Sequence, residues 1–332
     1  MSALLDAAKT AYTVLRVILA LAIFALTKHT GVFPYLGMRR LHVRTRGRSS
    51  ALLASVLATG RNSRPPGPVR GCLGALDAAD VSRLADAISR DGYVVFETGL
   101  EPALCDALEE FARTTPATMT PAPADGSKHT YDPRSPLATR YDFDEQELLR
   151  HPPVQRLAVD PTIRAVAHAY LRAVPVNDLV AMWWTVAHGE VSSAAAQMFH
   201  YDLDRTRFLK FFFYLSDVEA DTGPHVFVRG SHRERPAGFF QDRRFTDDEV
   251  AAAFPPETVM ELTGRRGTIM AVDTSGLHKG KHPDHGDRLV LQIEYSVSLF
   301  GAEYTELPRT ELLPEVLAEV TAAPRSFSRL AR

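Results

Sequence analysis

Gln197-Met-Phe-His-Tyr-Asp-Leu-Asp-Arg-Thr-Arg-Phe-Leu-Lys-Phe-Phe-Phe-Tyr-Leu215 carries a His-x-Asp pair followed directly by a strongly β-favouring run. Period-two alternation over residues 208–215 places Lys210, Phe212 and Tyr214 on one face and Phe211, Phe213 and Leu215 on the other. The first face mixes charge with aromatic rings. It is expected to line a barrel mouth, where Lys210 would meet an anionic substrate or cosubstrate. The alternative is a solvated lysine at a strand end, since lysine is rarely buried unless paired. On either side lie further β-rich runs at 181–187, 197–202, 225–228, 267–273 and 289–298, separated by turn residues.

Upstream the period changes. Val81, Leu84, Ala85 and Ile88 share one helical face, Asp91-Gly92 breaks it, and residues 93–96 read as a short strand. Residues 101–113 and 161–171 read as helices, and 114–150, rich in Pro, Thr and Asp, as a long loop or lid. Helices followed by many strands predict an α+β protein built on a β-sandwich or barrel.

A chain of 332 residues with 45% hydrophobic content is ample for one large core plus an appendage. Two cysteines, Cys72 and Cys105, exclude a disulfide framework or a cysteine-rich zinc site and point to a reducing compartment. The net charge of −2 hides an asymmetry. Residues 1–70 hold eleven Lys/Arg and one acid, a balance of +10, so the remaining 27 basic and 39 acidic residues give −12. The acidic body argues against a nucleic-acid-binding core, and the basic appendage asks for a partner of its own.

Residues 17–26 form an unbroken apolar run between Arg16 and Lys28, followed by Arg39, Arg40, Arg44, Arg46 and Arg48. A helix over 11–27 would be about 26 Å long, short of a ~30 Å hydrocarbon core. Membrane association through residues 11–48 is expected, with the basic cluster holding the rest of the chain on the cytoplasmic face. The alternative is a hydrophobic helix docked on the body. Thr27-Lys28-His29 offers no small-x-small signal cleavage site. The expected division is a hydrophobic helix over 1–30, a basic Pro/Gly-containing linker over 31–70, a catalytic domain over 71–305 and a helical tail over 306–332.

Twelve histidines and few cysteines favour a histidine–carboxylate metal site. Two histidines and one carboxylate on one face of an octahedral ion leave open positions, as in non-haem Fe(II) enzymes. On a strand, His-x-Asp/Glu points both side chains to the same side. Chance alone gives roughly one or two such pairs, and the chain has five: His188/Glu190, His200/Asp202, His232/Glu234, His282/Asp284 and His285/Asp287. Context selects His200/Asp202. His282 and His285 have no later, well-separated histidine, His232 lies in a turn, and His188/Glu190 straddles Gly189 at a strand end. A third ligand is expected from a distant strand, and His278 follows the run 267–273. Ten residues on, Arg288 heads a β run and offers a bidentate fork for a carboxylate.

Asp91-Gly-Tyr-Val-Val-Phe96, Gln197-x-x-His-x-Asp202, Tyr214-Leu-Ser-Asp-Val218, Thr222-Gly-Pro-His-Val-Phe-Val-Arg-Gly-Ser-His-Arg233, and His278 with Arg288 follow one another in order. The set resembles the phytanoyl-CoA dioxygenase family of Fe(II)/2-oxoglutarate oxygenases, over about residues 76–300. The resemblance implies a double-stranded β-helix, a jelly-roll of cupin type, with helices packed outside. It implies iron held by His200, Asp202 and His278, and the 2-oxoglutarate carboxylate held by Arg288. Further contacts to cosubstrate or substrate are expected from Gln197, Lys210 and Phe212. Phe199 stands where relatives often have Trp, and Gly280 where many have Ser or Thr. Asp202 argues against a halogenase, in which a small residue makes room for chloride.

Fe(II), 2-oxoglutarate and O2 are thus the expected cofactor and cosubstrates, with hydroxylation of a small or lipid-like substrate and release of succinate and CO2. A cupin-like metal enzyme that does not use 2-oxoglutarate, and a non-catalytic sensor or scaffold, stand as alternatives. Among the remaining candidates, Trp183 and Trp184 are expected in the core, with one of them walling the substrate pocket. His225, His232, His282 and His285 are expected to be solvated or in turns. Arg205 and Arg207 are expected to meet an acidic substrate or cover the surface.

Overall fold

The Asp77 carboxylate accepts from the backbone N–H groups of Ala79 and Asp80, and the Asp80 side chain reaches back to the Asp77 N–H. This reciprocal cap starts a helix, and Gly92, at φ 91°, ends it in a left-handed turn that a side chain would strain. The computed structural model describes residues 2–58 and 68–330. Its helices there are α1 Ser2–Thr27, α2 Val32–Thr45, α3 Arg48–Leu57, α4 Ala78–Asp91, α5 Pro102–Thr114, α6 Glu145–Arg150, α7 Pro152–Ala158, α8 Pro161–Leu171, α9 Asp247–Ala253 and α10 Pro314–Ala322. Its strands are β1 Val69–Gly71, β2 Gly74–Leu76, β3 Tyr93–Gly99, β4 Thr118–Thr120, β5 Arg140–Asp142, β6 Val176–Val186, β7 Phe208–Tyr214, β8 His225–Val228, β9 Val259–Leu262, β10 Thr268–Val272, β11 His278–Gly280 and β12 Asp287–Ser296.

β1 and β2 form a hairpin. A seven-stranded sheet runs in the order β3-β10-β7-β12-β6-β5-β4, and a three-stranded sheet in the order β11-β8-β9, with antiparallel pairing throughout. The architecture is mixed helix and sheet, as the order of helical and strand periods predicts.

The alternation along β7 divides the interior. Leu209, Phe211, Phe213 and Leu215 join Leu289, Leu291, Ile293 and Tyr295 of β12 in a core shared with α4, α5, α7 and α8. Each such side chain contributes about 1.5–3 kcal/mol on burial. Phe212 and Tyr214 point the other way, with Trp183, Met270, Val272 and Val290, and meet Phe227 and Leu262 of the small sheet. On that inward side β12 presents Arg288, Val290, Gln292 and Glu294, alternate residues of one strand.

Three expectations are corrected here. Residues 31–57 are not linker but α2 and α3; of the segment read as linker, 59–67 lie outside the described residues and Val69 already opens β1. Residues 114–150 are not one long loop, since they contain β4, β5 and α6. Residues 197–202 form no ladder strand and join the fold through single pairings of Phe199 with Phe245 and His200 with His278.

The appendage is docked. Val17, Ala20 and Phe24, one helical stripe of α1, pack with Met38 and Leu41 of α2 onto Val176, Leu299 and Phe300. Gly37 allows the two helices to approach, for a Cβ there would stand 3.3 Å from Thr13 and Val17. Arg39 clamps Asp242 in bidentate fashion at 2.6 and 2.8 Å. The C-terminal segment is equally integral. Arg329 is fully buried, bonded to Asn177 and Glu145.

Candidate metal centre

His200 and His278 face each other across a mutual backbone pair, His200 N–H to His278 O at 2.9 Å and His278 N–H to His200 O at 2.8 Å. Asp202 N–H is held by Thr274 O at 2.8 Å. Residues 200 and 202 of this extended segment therefore project to one side. One donor atom each from His200, Asp202 and His278 lie within 4.8 Å of one another. His200 Nε2 is 3.7 Å and His278 Nε2 3.5 Å from the Asp202 carboxylate.

The tautomers are preset. His200 Nδ1 lies 2.9 Å from Met198 O, and His278 Nδ1 lies 3.0 Å from Gly276 O. A carbonyl only accepts, so both Nδ1 atoms carry the proton and both Nε2 lone pairs turn toward Asp202. Burial, then the neighbouring His278, pushes His200 down to about 3, and burial lowers His278 as well, so both are neutral near pH 7. Burial opposes charge on Asp202, but Lys210, His278 and His200 outweigh it and hold the carboxyl well below its ordinary range. Two neutral imidazoles and one carboxylate on one side fit a divalent ion that keeps open positions.

Lys210 does not stand at an open mouth. It is buried, and its ammonium donates to Asp202 Oδ2 at 2.7 Å with Glu294 at 3.3 Å. Burial disfavours that cation, yet Asp202, Glu294 and Asp204 raise its pKa. Glu294 is itself pushed well above the usual range, by burial first and Asp178 next. Arg205, expected at the surface or on substrate, is instead buried against Asp178 at 2.6 Å. Arg207 donates to Tyr170 O at 2.8 Å.

Arg288 is buried with no carboxylate partner among the described residues. Its Nη1 donates to Gly223 O, its Nη2 to Thr185 Oγ1 at 3.2 Å, and its Nε has no partner. Burial lowers its pKa. A buried guanidinium with an idle donor fits an incoming carboxylate. A Cβ on Gly280 would come within 3.1 Å of Arg288 Nη2, so the guanidinium occupies the room that a larger residue needs, and Thr185, its partner in register, supplies a hydroxyl.

His225 corrects an expectation. Rather than lying in a turn, it is buried on β8, stacked on His278 at 5.3 Å and beside Phe212 at 5.0 Å. Its Nε2 has no partner, and burial, with His278 and Arg288, drives its pKa well down. A histidine two residues after Gly223 looks like a turn residue until β8 is seen to pair with β11. Gln197 is buried, its Oε1 accepting from Ser192 N–H at 2.7 Å and its Nε2 unpartnered. Trp184 belongs to the helix-side core and Trp183 to the inward wall. His232 is half-buried against Ser89 O, and His285 is exposed beside Asp221.

A family model described as phytanoyl-CoA dioxygenase matches residues 88–282. Among solved structures, the chain is similar to the alpha-ketoglutarate-dependent epimerase SnoN of nogalamycin biosynthesis, at 19% identity over 66% of this chain and 83% of that one, TM-score 0.46. It is similar to apo EctD from S. alaskensis, at 19% identity over 74% and 91%, TM-score 0.47. It is also similar to HygX from Streptomyces hygroscopicus with nickel, 2-oxoglutarate and hygromycin B bound, at 18% identity over 68% and 90%, TM-score 0.43. No curated protein matches the chain.

Proposed function

The chain belongs to the phytanoyl-CoA dioxygenase family, and from that premise we propose that it is an Fe(II)- and 2-oxoglutarate-dependent oxygenase hydroxylating a small or lipid-like substrate. The observation that carries the reading is the pair of preset imidazoles around one half-buried carboxylate, with a buried arginine that has no carboxylate partner among the described residues. The mixed helix-and-sheet architecture agrees with a cupin-like double-stranded β-helix.

Bound Fe(II) and 2-oxoglutarate supply the oxidising chemistry, in which O2 is consumed, 2-oxoglutarate becomes succinate and CO2, and the substrate gains a hydroxyl. The chain supplies placement. His200, Asp202 and His278 are the metal ligands, and the carbonyls of Met198 and Gly276 orient both rings. Arg288 receives the distal carboxylate of 2-oxoglutarate, steadied by Gly223 and Thr185. Lys210 holds one Asp202 oxygen, while Trp183, Phe212 and Phe227 wall the interior against water.

The test is succinate release from 2-oxoglutarate by the full, anaerobically iron-loaded chain, first alone and then with candidate lipids. Succinate that rises with one substrate and appears with its hydroxylated product supports the reading. No succinate together with no 2-oxoglutarate binding turns it toward a cupin-like metal enzyme or a non-catalytic scaffold.

Lys210 supplies a second expectation. Lys210→Met leaves half-buried Asp202 and buried Glu294 without their cation, so the metal-free protein is expected to lose about 3–5 kcal/mol. The iron-loaded protein should lose clearly less, because the ion replaces the missing charge. Urea unfolding of both forms reads the difference, and equal losses would count against the ligand role of Asp202.

We propose further that the appendage rests on the cytoplasmic face of a membrane. Leu26 and Phe33 are 88% and 69% exposed, and Leu15, Ile18, Leu19 and Ile23 are exposed with them, beside Arg16 and Lys28. The stripe Val17, Ala20 and Phe24 is occupied by the body, which favours a helix lying in the interface plane over one that crosses it. Leu19→Asp and Phe33→Asp should each weaken flotation with phosphatidylglycerol vesicles by about tenfold or more. Undiminished flotation of both variants would contradict the assignment.

A further inference from the structure

A cavity of about 800 Å3 lies where the α2–α3 turn meets the body, within the size range of small-ligand sites. His200, Asp202, His278 and Arg288 are absent from its wall. That wall carries six arginines, Arg46, Arg48, Arg172, Arg207, Arg233 and Arg235, against one carboxylate, Asp273. Asp273 is already engaged, accepting from the Tyr170 hydroxyl and from Ser275 N–H. Several arginines elsewhere, among them Arg39, Arg140, Arg205 and Arg329, have carboxylate partners. None of the six makes an ion pair among the described residues. Like charges gathered around one concavity repel each other and create a strong positive field there.

Two of the guanidiniums are fixed in advance. Arg235 stacks over Tyr201 at 4.0 Å and Phe240 at 4.6 Å, donates from Nη1 to Ser275 O at 2.7 Å, and leaves its buried Nε without a partner. Burial lowers its pKa only to about 10, so it stays cationic near pH 7. Arg207 is tied by Nη2 to Tyr170 O at 2.8 Å. The ten-residue helix α3 begins at the same cavity; its N-cap, Gly47, offers no side-chain oxygen, and of the first-turn N–H groups that of Ser49 is taken by Thr45 Oγ1 at 3.0 Å. Positive backbone ends and several guanidinium forks together suit an anion with several acceptor oxygens and more than one charge.

We propose that this cavity binds a phosphate-bearing ligand, a pyrophosphate or phosphomonoester group, held by Arg235 and Arg207 from the body and by Arg46 and Arg48 from the appendage. Arg46 and Arg48 lie outside residues 88–282, so half of the site belongs to the appendage rather than to the family's matched region. The phosphate can come from a soluble ester or from a lipid headgroup, and the chemistry recognised is the same.

The test uses the full chain, titrated in chloride buffer by calorimetry and by thermal shift. The probes are pyrophosphate and, below its micellar concentration, dihexanoyl phosphatidic acid. Saturable binding of either, weakened at least tenfold in the triple variant Arg46→Gln/Arg48→Gln/Arg233→Gln, is the expected result. Those three side chains are exposed, so the triple variant should keep the wild-type melting temperature in chloride. Arg235→Gln serves as a second, single-site variant with the same expected loss. Tighter pyrophosphate binding identifies a soluble source, and tighter phosphatidic acid binding a lipid headgroup. No saturable binding of either probe at millimolar concentration, or binding undiminished in both variants, would overturn the site.

Discussion

His278→Ala is expected to lower succinate release by at least about 100-fold and to abolish stoichiometric Fe(II) binding, while the protein stays folded. Loss of groups that merely orient a ligand costs 10–100-fold in affinity or activity, and a direct ligand should cost at least that much. The substitution keeps the backbone that pairs with His200, since both hydrogen bonds run through main-chain atoms. It removes the imidazole whose Nε2 lies 3.5 Å from Asp202 and on which His225 stacks. His285→Ala, at an exposed position with its own His-x-Asp spacing, should leave the rate unchanged. Anaerobic iron binding and succinate release, measured on both variants, separate a ligand from a neighbouring histidine. Retained activity in His278→Ala would remove the third ligand from the account.

Arg288→Gln is expected to raise the KM for 2-oxoglutarate by roughly 30-fold to a few thousandfold, the effect of truncating one member of a buried charge pair at 2–5 kcal/mol. Fe(II) affinity should change little, because Arg288 is not among the clustered ligand atoms. Arg288→Lys should not restore the wild-type KM. The guanidinium spends one nitrogen on Gly223 O and another on Thr185 Oγ1 while keeping Nε idle, a division that a single ammonium does not reproduce. The check is the KM for 2-oxoglutarate against iron affinity in the same preparations, and an unchanged KM would place the cosubstrate carboxylate elsewhere.

The His-x-Asp spacing and the later histidine were legible because extended backbone imposes period two even where no ladder forms. Residues 200 and 202 point the same way through one bridging pair rather than a strand. Arg288 was legible as the head of a β run, and α4 as an amphipathic period. What escaped depends on contacts far apart in sequence. His225 reads as a turn residue until β8 pairs with β11, and Thr185 matters only through its register with Arg288. Lys210 read as lining an open barrel mouth and Arg205 as meeting substrate or covering the surface, yet Asp178, Glu294 and Asp202 engage them as buried pairs.

The appendage misled for another reason. Gly31, Pro34, Gly37 and five arginines give residues 31–48 a linker-like composition. Gly37 in fact allows close helix approach, and Gly47 turns the chain from α2 into α3. Because Val17, Phe24, Met38 and Leu41 cover Val176, Leu299 and Phe300, removing the appendage would expose apolar surface on the body, and experiments belong on the full chain.

The most direct measurement is an anaerobic Fe(II) titration of the full chain, wild type beside Asp202→Ala, with 2-oxoglutarate binding followed in the same samples. The account predicts one ion per wild-type chain, 2-oxoglutarate binding that depends on that ion, and loss of both in the variant. One ion bound equally tightly by Asp202→Ala, or 2-oxoglutarate binding indifferent to iron, would contradict it.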